Sequence, residues 1–265
     1  MRQKHIIYGL GLILMLGACQ PAMQDSGKES RETQIMLNKA DAALGMGNEQ
    51  EAEALYREVA EQPGAGVRAH LQLASLMKQR GDKAGAKALL QEAHARNSNN
   101  VEVLRELAHI YLNEGRSDMA DPLIAQGLER SPNDPRLLNL RGVRLDQQGE
   151  HQQAQAMYQR VLSEAYLPAD KDYATNNLAL SYIASGQPQK AVSLLEGYLD
   201  QADSPEPMRQ TLALAYGVAG QPDNARTLLA DQLDAEAIAE NLRFYELYRQ
   251  GNIERTSLFQ VSATN

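Results

Sequence analysis

Apolar residues recur along this chain in blocks with helical spacing. Within residues 101–134, Leu104, Leu107, Ala108 and Tyr111 fall on one face of a helix, and a second apolar stripe follows a glycine. The same arrangement returns about every 34 residues along the chain. This periodicity predicts pairs of amphipathic helices, each pair joined at a glycine.

Four columns of residues keep the register of this repeat. The glycines are 34 residues apart, except for one step of 37, and are Gly47, Gly81, Gly115, Gly149, Gly186 and Gly220. A small residue precedes each glycine by seven positions: Ala40, Ala74, Ala108, Gly142, Ala179 and Ala213. An alanine follows each by five positions: Ala52, Ala86, Ala120, Ala154, Ala191 and Ala225. A large residue follows each by nine positions: Tyr56, Leu90, Ile124, Tyr158, Leu195 and Leu229. Glycine suits the end of a first helix, small residues let two helices approach, and such hairpins must stack to bury their apolar faces.

The columns resemble the tetratricopeptide repeat (TPR), and the resemblance implies an all-α solenoid of helical hairpins. Six repeats are expected over residues 34–233, with a capping helix at 234–250 and a mobile tail at 251–265. The step of 37 places three extra residues within 165–171, where we expect a longer loop between repeats.

The N-terminus has the features of an export signal. Arg2 and Lys4 precede an apolar stretch at 6–18 that is too short to span a bilayer. The following segment, Leu16-Gly17-Ala18-Cys19, resembles a bacterial lipobox. The resemblance implies a signal peptide at 1–18, a lipidated (palmitoylated) Cys19 and a flexible tether over 19–33. The alternative is an ordinary signal peptide that happens to end near a cysteine.

The residue after Cys19 is Gln20 rather than aspartate. By resemblance to enterobacterial sorting signals, this favours an outer-membrane lipoprotein, attached to the membrane by its lipid and expected on the periplasmic face.

Composition and motifs exclude several function classes. The net charge is −8, so the chain has no general attraction to nucleic acid. No phosphate-binding loop, dinucleotide fingerprint, nucleophile elbow or paired-histidine metal motif is present. The sequence therefore predicts a non-enzymatic protein with no metal, cofactor or small-molecule substrate.

In related arrays, the first helices of the hairpins line a concave groove that binds protein partners. Positions 2, 5, 9 and 12 of each repeat would face that groove. The candidate partner-binding residues are Arg68, Arg105, His109, Arg136, Asn139, Tyr173, Asn176, Leu180, Ile183, Gln210 and Leu214. We expect an extended or helical peptide, with apolar anchors in the late repeats and polar or acidic groups toward Arg105 and Arg136. The alternative is that the late apolar residues pack against the C-terminal helix.

The last two repeats resemble the TadD family more specifically. The resemblance rests on residues 176–181 (NNLALS), 209–217 (RQTLALAYG) and 233–242 (LDAEAIAENL). TadD proteins are TPR lipoproteins of tight-adherence (Flp) pilus systems. The resemblance implies a scaffold or pilotin whose partners are the pilus secretin or other Tad components. The alternative function is an envelope TPR adaptor that docks a protease or a peptidoglycan enzyme.

Overall fold

The protein is described from a computed structural model that covers residues 30–62, 66–165, 167–199 and 205–261. Cys19, the predicted signal peptide and most of the predicted tether lie outside the described residues. The helices in chain order are α1 (Arg31–Gly45), α2 (Glu49–Glu61), α3 (Arg68–Gln79), α4 (Lys83–Arg96), α5 (Val101–Asn113), α6 (Ser117–Arg130), α7 (Pro135–Gln147), α8 (His151–Glu164), α9 (Pro168–Ala184), α10 (Pro188–Leu199), α11 (Glu206–Val218), α12 (Pro222–Leu229), α13 (Ala235–Arg249) and α14 (Leu258–Val261), with a 3₁₀ turn at Arg255–Ser257 before α14. None of these helices is long and apolar enough to cross a membrane.

The first twelve helices form six hairpins, and each hairpin packs against the next. All six alanines of the column after the glycines are fully buried. The large residues of the last column are at most 3% exposed. Gly142 shows why its column is small, because a Cβ there would lie 2.4 Å from the ring of Tyr158. The predicted all-α fold of stacked helical hairpins is confirmed.

The glycine column ends the first helix of every hairpin in the same way. All six glycines have positive φ, between 71° and 83°, which residues with a Cβ rarely adopt. In the first hairpin, Gly47 N–H donates to the carbonyl of Leu44, and Asn48 N–H donates to that of Ala43 at 2.9 Å. This pair of bonds satisfies carbonyls that the helix end would leave without a partner.

A seventh member of this column, Gly251, ends α13 with φ of 77° and the same two bonds. Helix α13 is therefore the first helix of an incomplete seventh hairpin. At the position seven before Gly251, Phe244 replaces the small residue of the other hairpins. A phenylalanine ring leaves less room for a second helix than the small residues of the other hairpins do, and among the described residues only a short turn and α14 follow α13.

The C-terminal segment differs from the sequence-based expectation. Residues 251–265 are expected to form a mobile tail, but 255–261 are helical and pack back against α7. The physical reason is burial, since Leu258 is 9% exposed and Phe259 is 2% exposed. Residues 262–265 lie outside the described part of the chain.

Two further boundaries also differ from expectation. Helix α1 begins at Arg31, because Ser30 caps it by accepting a hydrogen bond from Thr33 N–H at 3.0 Å, so residues 31–33, predicted as part of the tether, are helical. The three extra residues near 165–171 lengthen a helix and not a loop. Helix α9 has 17 residues, whereas α7 has 13.

Candidate binding groove

The odd-numbered helices form one continuous face of the array, which we call the inner face. Helices α5, α7, α9 and α11 each contact the next odd-numbered helix, while the second helices of the six hairpins form the opposite layer. Eight of the eleven predicted groove residues are not buried, and they lie along the inner face on α3, α5, α7, α9 and α11. The inner face is nevertheless divided into an open part and a covered part.

The open part is a cleft of about 320 Å³ between α3, α5, α7 and α9. We call it the inner cleft. Its lining residues are Lys78, Arg105, Glu106, His109, Pro135, Arg136, Asn139, Leu140, Asp170 and Tyr173. Five of these were predicted from the repeat register, namely Arg105, His109, Arg136, Asn139 and Tyr173. The structure brings all five together in one cleft.

Ion pairs hold the charged side chains of the inner cleft in place. Lys78 pairs with Glu106 on the next repeat. Arg136 Nε donates to Asp170 Oδ1 at 3.0 Å, and the Asp170 side chain is only 5% exposed. Asp170 lies in the additional first turn of α9, so the three-residue insertion supplies an acid to the cleft. The sequence signal for it was the step of 37, which by itself does not show that the extra residues are helical.

The guanidinium of Arg105 has hydrogen-bond partners for only part of its N–H groups. Its Nη1 donates to Asp134 Oδ2 at 3.2 Å, whereas its buried Nε makes no hydrogen bond within the described residues. Burial opposes the ionised form of Glu106, but the hydrogen bond from Lys78 and the charge of Arg105 still lower the pKa of Glu106. The inner cleft thus keeps fixed charges of both signs at neutral pH.

His109 lies at the edge of the same cleft. Loss of water around the ring lowers the pKa of His109, with an opposing effect from Glu106 and a further lowering by Lys78. The side chain is therefore neutral at pH 7 and contributes a hydrogen-bonding ring and not a charge. One ring nitrogen lies 3.4 Å from Asn113 Nδ2.

Tyr173 is the large exposed residue of the inner cleft. Its side chain is 66% exposed. Exposed tyrosine beside arginine is the composition that protein interfaces favour at their centres. Tyr173 and the half-exposed Arg136 lie together on the rim of the cleft.

A row of amide side chains continues along the inner face. Asn139, Asn176 and Gln210, all predicted, stand ten positions before their repeat's glycine, and Asn241 occupies the same position in α13. Asn139 Oδ1 accepts a hydrogen bond from Asn177 at 3.0 Å. Asn176 Oδ1 is buried and has no hydrogen-bond partner among the described residues. Asn241 was not among the predicted groove residues, because its position depends on Gly251 being a seventh repeat glycine.

Arg68 lies on α3, outside the inner cleft. It pairs with Asp41 of the first hairpin. Its position gives the inner face a cationic group beyond the cleft, and it also ties the first repeat to the second.

The late apolar residues do not line an open groove. Leu180 is 8% exposed, Ile183 is 1% exposed and Leu214 is 7% exposed. They belong to one apolar cluster with residues of α13 and with Leu258 and Phe259 of the C-terminal segment. The expectation of free apolar anchors at these three positions is therefore wrong for the chain by itself, because all three side chains are buried in this cluster.

A buried polar network supports this covered part of the inner face. Asp146 is fully buried, and its carboxylate accepts hydrogen bonds from His151 Nδ1 at 2.7 Å, Ser181 Oγ at 2.7 Å and Tyr158 OH at 2.9 Å. Burial raises the pKa of Asp146, and these three hydrogen bonds oppose that rise. The ring of His151 in turn faces Phe259, with ring centres 6.4 Å apart. Among the described residues, no cluster of side chains could hold a metal ion.

Comparisons with known proteins agree with this architecture. Two family models described as tetratricopeptide repeats match residues 77–143 and 135–247. A search of curated protein sequences gives no significant match.

Several solved structures are similar to the chain. A chain of the APC/C hetero-tetramer Cut9–Hcn1 is 18% identical with a TM-score of 0.65, over 88% of this chain and 43% of that one. This chain therefore spans less than half of that protein. The pilF protein of Pseudomonas aeruginosa is 19% identical with a TM-score of 0.54, over 74% and 97% of the two chains. A thermophilic TPR protein of Thermus thermophilus is 19% identical with a TM-score of 0.53, over 69% and 98%. At these identities the similarity concerns the fold.

Proposed function

Because the chain has the all-α fold of a tetratricopeptide-repeat solenoid, we propose that it is a protein-binding scaffold that receives its partner in the inner cleft. The observation that carries this proposal is the cleft itself, a concave site of about 320 Å³ with fixed charges of both signs and an exposed tyrosine. Sites of this kind, in which a few oriented polar groups surround an aromatic anchor, suit a peptide segment of another protein.

The cleft residues define the chemistry of the partner segment. Arg136 is half exposed, so an acidic or carbonyl oxygen of the partner fits beside its guanidinium. Tyr173 offers its ring to an aliphatic or aromatic side chain. The amide row at Asn139, Asn176 and Gln210 can both donate to and accept from an extended backbone.

The biological setting that we propose is assembly of a tight-adherence (Flp) pilus. The residues that support it are those of the late repeats, 176–181, 209–217 and 233–242, which resemble the TadD family. In this proposal, Cys19 carries a lipid that holds the chain at the outer membrane, and the array serves as scaffold or pilotin for the secretin or another Tad component. A protease or peptidoglycan enzyme as partner would instead make the chain an envelope adaptor.

The experiment is retention of envelope proteins on the immobilised chain, prepared without residues 1–23, followed by mass spectrometry. The test variant is Arg136→Gln with Tyr173→Ala, which removes a cation and a ring from the rim of the cleft. The matched control is Arg160→Gln, an exposed arginine on α8 whose own ion pair is with Glu164 in the same helix.

We expect a secretin or other pilus component on the unaltered chain and on the control, and its loss from the double variant. Equal retention by the double variant would overturn the inner cleft as the binding site. Recovery of a protease or cell-wall hydrolase, lost from the same variant, would keep the scaffold function and replace the pilus role by the adaptor role.

A further inference from the structure

The C-terminal segment 255–261 packs against the ends of α7 and α9 and the beginning of α8, as a separate peptide would. It follows the incomplete seventh hairpin and keeps a hydrogen bond to α13, from Tyr248 OH to the Arg255 carbonyl at 3.1 Å, but its contacts also extend back to α7 in the fourth repeat. Capping α13 does not require a segment that reaches so far. This placement distinguishes the segment from the rest of the array, in which each hairpin packs mainly on its neighbours.

The surface under this segment is formed by the ends of α7 and α9 and the beginning of α8. We call it the edge site. Phe259 and Leu258 are buried there, and Phe259 faces the ring of His151. Gln147 Nε2 donates to the Phe259 carbonyl at 3.5 Å, and Arg255 Nη1 donates to the Ala184 carbonyl at 3.4 Å.

The backbone of the edge site has room for the arginine of the segment. Arg255 Nη1 lies 2.9 Å from the position that a Cβ on Gly186 would take. Gly186 also ends α9 with a φ of 76°, so the turn and the space both depend on glycine at this position. The edge site therefore accepts a basic residue followed, three and four positions later, by two large apolar residues.

The edge site does not depend on the segment for its own structure. His151 is fixed by its hydrogen bond to the buried Asp146, and Ser181 is fixed by a bond to the same carboxylate. Gln155 Nε2 donates to Ser185 Oγ at 3.1 Å, which ties α8 to the end of α9. None of these bonds involves the C-terminal segment, so they orient the polar side chains of the site independently of its occupant.

The segment, in contrast, is held on the edge site mainly by apolar side chains. The hydrogen bonds that Gln147 and Arg255 make between the segment and the edge site are near the upper limit of hydrogen-bond length, whereas Leu258 and Phe259 are buried. Only residues 252–254 join it to Gly251. Ordering such a segment loses conformational entropy, which offsets much of the gain from burying two side chains.

We propose that the edge site is a second docking site for a partner protein, and that residues 255–261 fill it until a competing segment displaces them. The occupant is a short helical segment of the partner with an arginine or lysine followed by two adjacent large apolar residues. This inference deepens the proposed function and rests on it, because both describe binding of a protein segment by the array.

The test uses the chain's own segment as the probe. A fluorescent peptide with the sequence of residues 253–261, IERTSLFQV, is titrated into the purified chain and into the variant Leu258→Ser with Phe259→Ser, with binding read by anisotropy. We expect saturable binding to the variant and binding at least about tenfold weaker to the unaltered chain, in which the tethered segment competes at a high effective concentration.

Two controls place the binding at the edge site. In the Leu258→Ser, Phe259→Ser background, Gln147→Ala should weaken binding of the peptide. Gln148→Ala, at the exposed neighbouring position, should leave the affinity unchanged. A peptide with serine in place of the leucine and phenylalanine should not bind.

Three results would overturn the inference. The first is absence of peptide binding to the double-serine variant while its circular dichroism shows folded repeats. The second is equal affinity for the variant and the unaltered chain. The third is a dimer of the unaltered chain that disappears in the variant, which would assign the edge site to a second copy of this chain. None of these results bears on retention by the inner cleft, so the two proposals fail separately.

Discussion

The early part of the array, α1–α8, and the late part, α9–α14, bury their surfaces by different means. In the early part, ion pairs join successive repeats: Arg68 with Asp41, Arg80 with Glu53, Lys78 with Glu106, Lys87 with Glu114, Arg144 with Asp121, and Arg105 with Asp134. In the late part, no ion pair joins successive repeats among the residues that the structure describes. One large apolar cluster takes that role and includes the C-terminal segment.

This difference explains why the inner face is open in one part and covered in the other. Charged side chains that pair across repeats remain stable beside water, so the inner cleft needs no lid. Leu180, Ile183 and Leu214 gain by leaving water, so the late inner face is stable only when something covers it. The lesson is that a residue at a groove position of such an array need not face an open groove.

The largest effect is expected where α13 meets α11. A Cβ on Gly217 would lie 2.4 Å from the ring of Tyr245 and 2.6 Å from its Cβ, so Gly217→Ala forces the two helices apart. We expect a loss of about 1–3 kcal/mol in the free energy of unfolding, measured by urea denaturation. The matched control is Gly197→Ala in α10, where a Cβ would meet nothing within 4 Å. A Gly217→Ala chain as stable as the control would contradict the described contact.

A second comparison uses two tyrosines of the same repeat column. Tyr158→Phe leaves the fully buried Asp146 without one of its three hydrogen-bond donors. We expect the free energy of unfolding to fall by about 1–3 kcal/mol. Tyr56→Phe removes a 2.6 Å bond to Asp41, whose partly exposed carboxylate keeps its pair with Arg68. For Tyr56→Phe, the free energy of unfolding should fall by less than about 1 kcal/mol. Thermal melts of the two variants side by side provide the measurement, and equal losses would remove the distinction between the two sites.

The third prediction concerns pH and the early part. His70 is fully buried, and loss of water, with a smaller effect of Arg96, lowers the pKa of His70 in the fold, against an opposing effect of Glu92. The unfolded chain then binds a proton more readily than the folded chain once the pH falls below the ordinary histidine value of 6.5. Stability should fall as the pH is lowered from 6.5, and His70→Gln should remove this part of the fall. Melting temperatures at about one pH unit above and one below that value test it. An unchanged pH slope in the variant would contradict it.

The smallest effect is expected from salt. Exposed ion pairs contribute only about 0–1 kcal/mol each and are screened by added salt. Sodium chloride at high concentration should therefore speed hydrogen exchange in α1–α8 slightly and leave α9–α13 unchanged or slower. Faster hydrogen exchange in the late part alone would contradict the prediction that salt weakens mainly the early part.

Much of the fold was accessible from the sequence because the repeat columns carry direct physical meaning. Glycine at a positive φ, small residues between helices and large residues beside them leave a periodic signature, and the structure places all six members of each column as predicted. Gly251 also stood in the sequence, 31 residues after Gly220. It went unrecognised because Phe244 and Thr256 replace the small residue and the alanine of its repeat.

The candidate site was less accessible, for a different reason. The repeat register correctly places Arg105, Arg136 and Tyr173 on one face, since register follows from local spacing. It does not reveal that Leu180 and Ile183 are buried in one apolar cluster with α13 and Phe259, because residues so far apart in the chain meet only in the fold. Asp170 likewise enters the cleft only because an insertion is folded as helix.

The inner cleft is the place where we expect a partner to bind. The most direct measurement is hydrogen–deuterium exchange of the chain with and without the partner that it retains. We predict that the partner slows exchange in α5, α7 and the first turns of α9, where the cleft residues lie, and leaves the outer helices α4, α6 and α8 unchanged. Protection confined to the outer helices, with unaltered exchange in α5, α7 and α9, would contradict it.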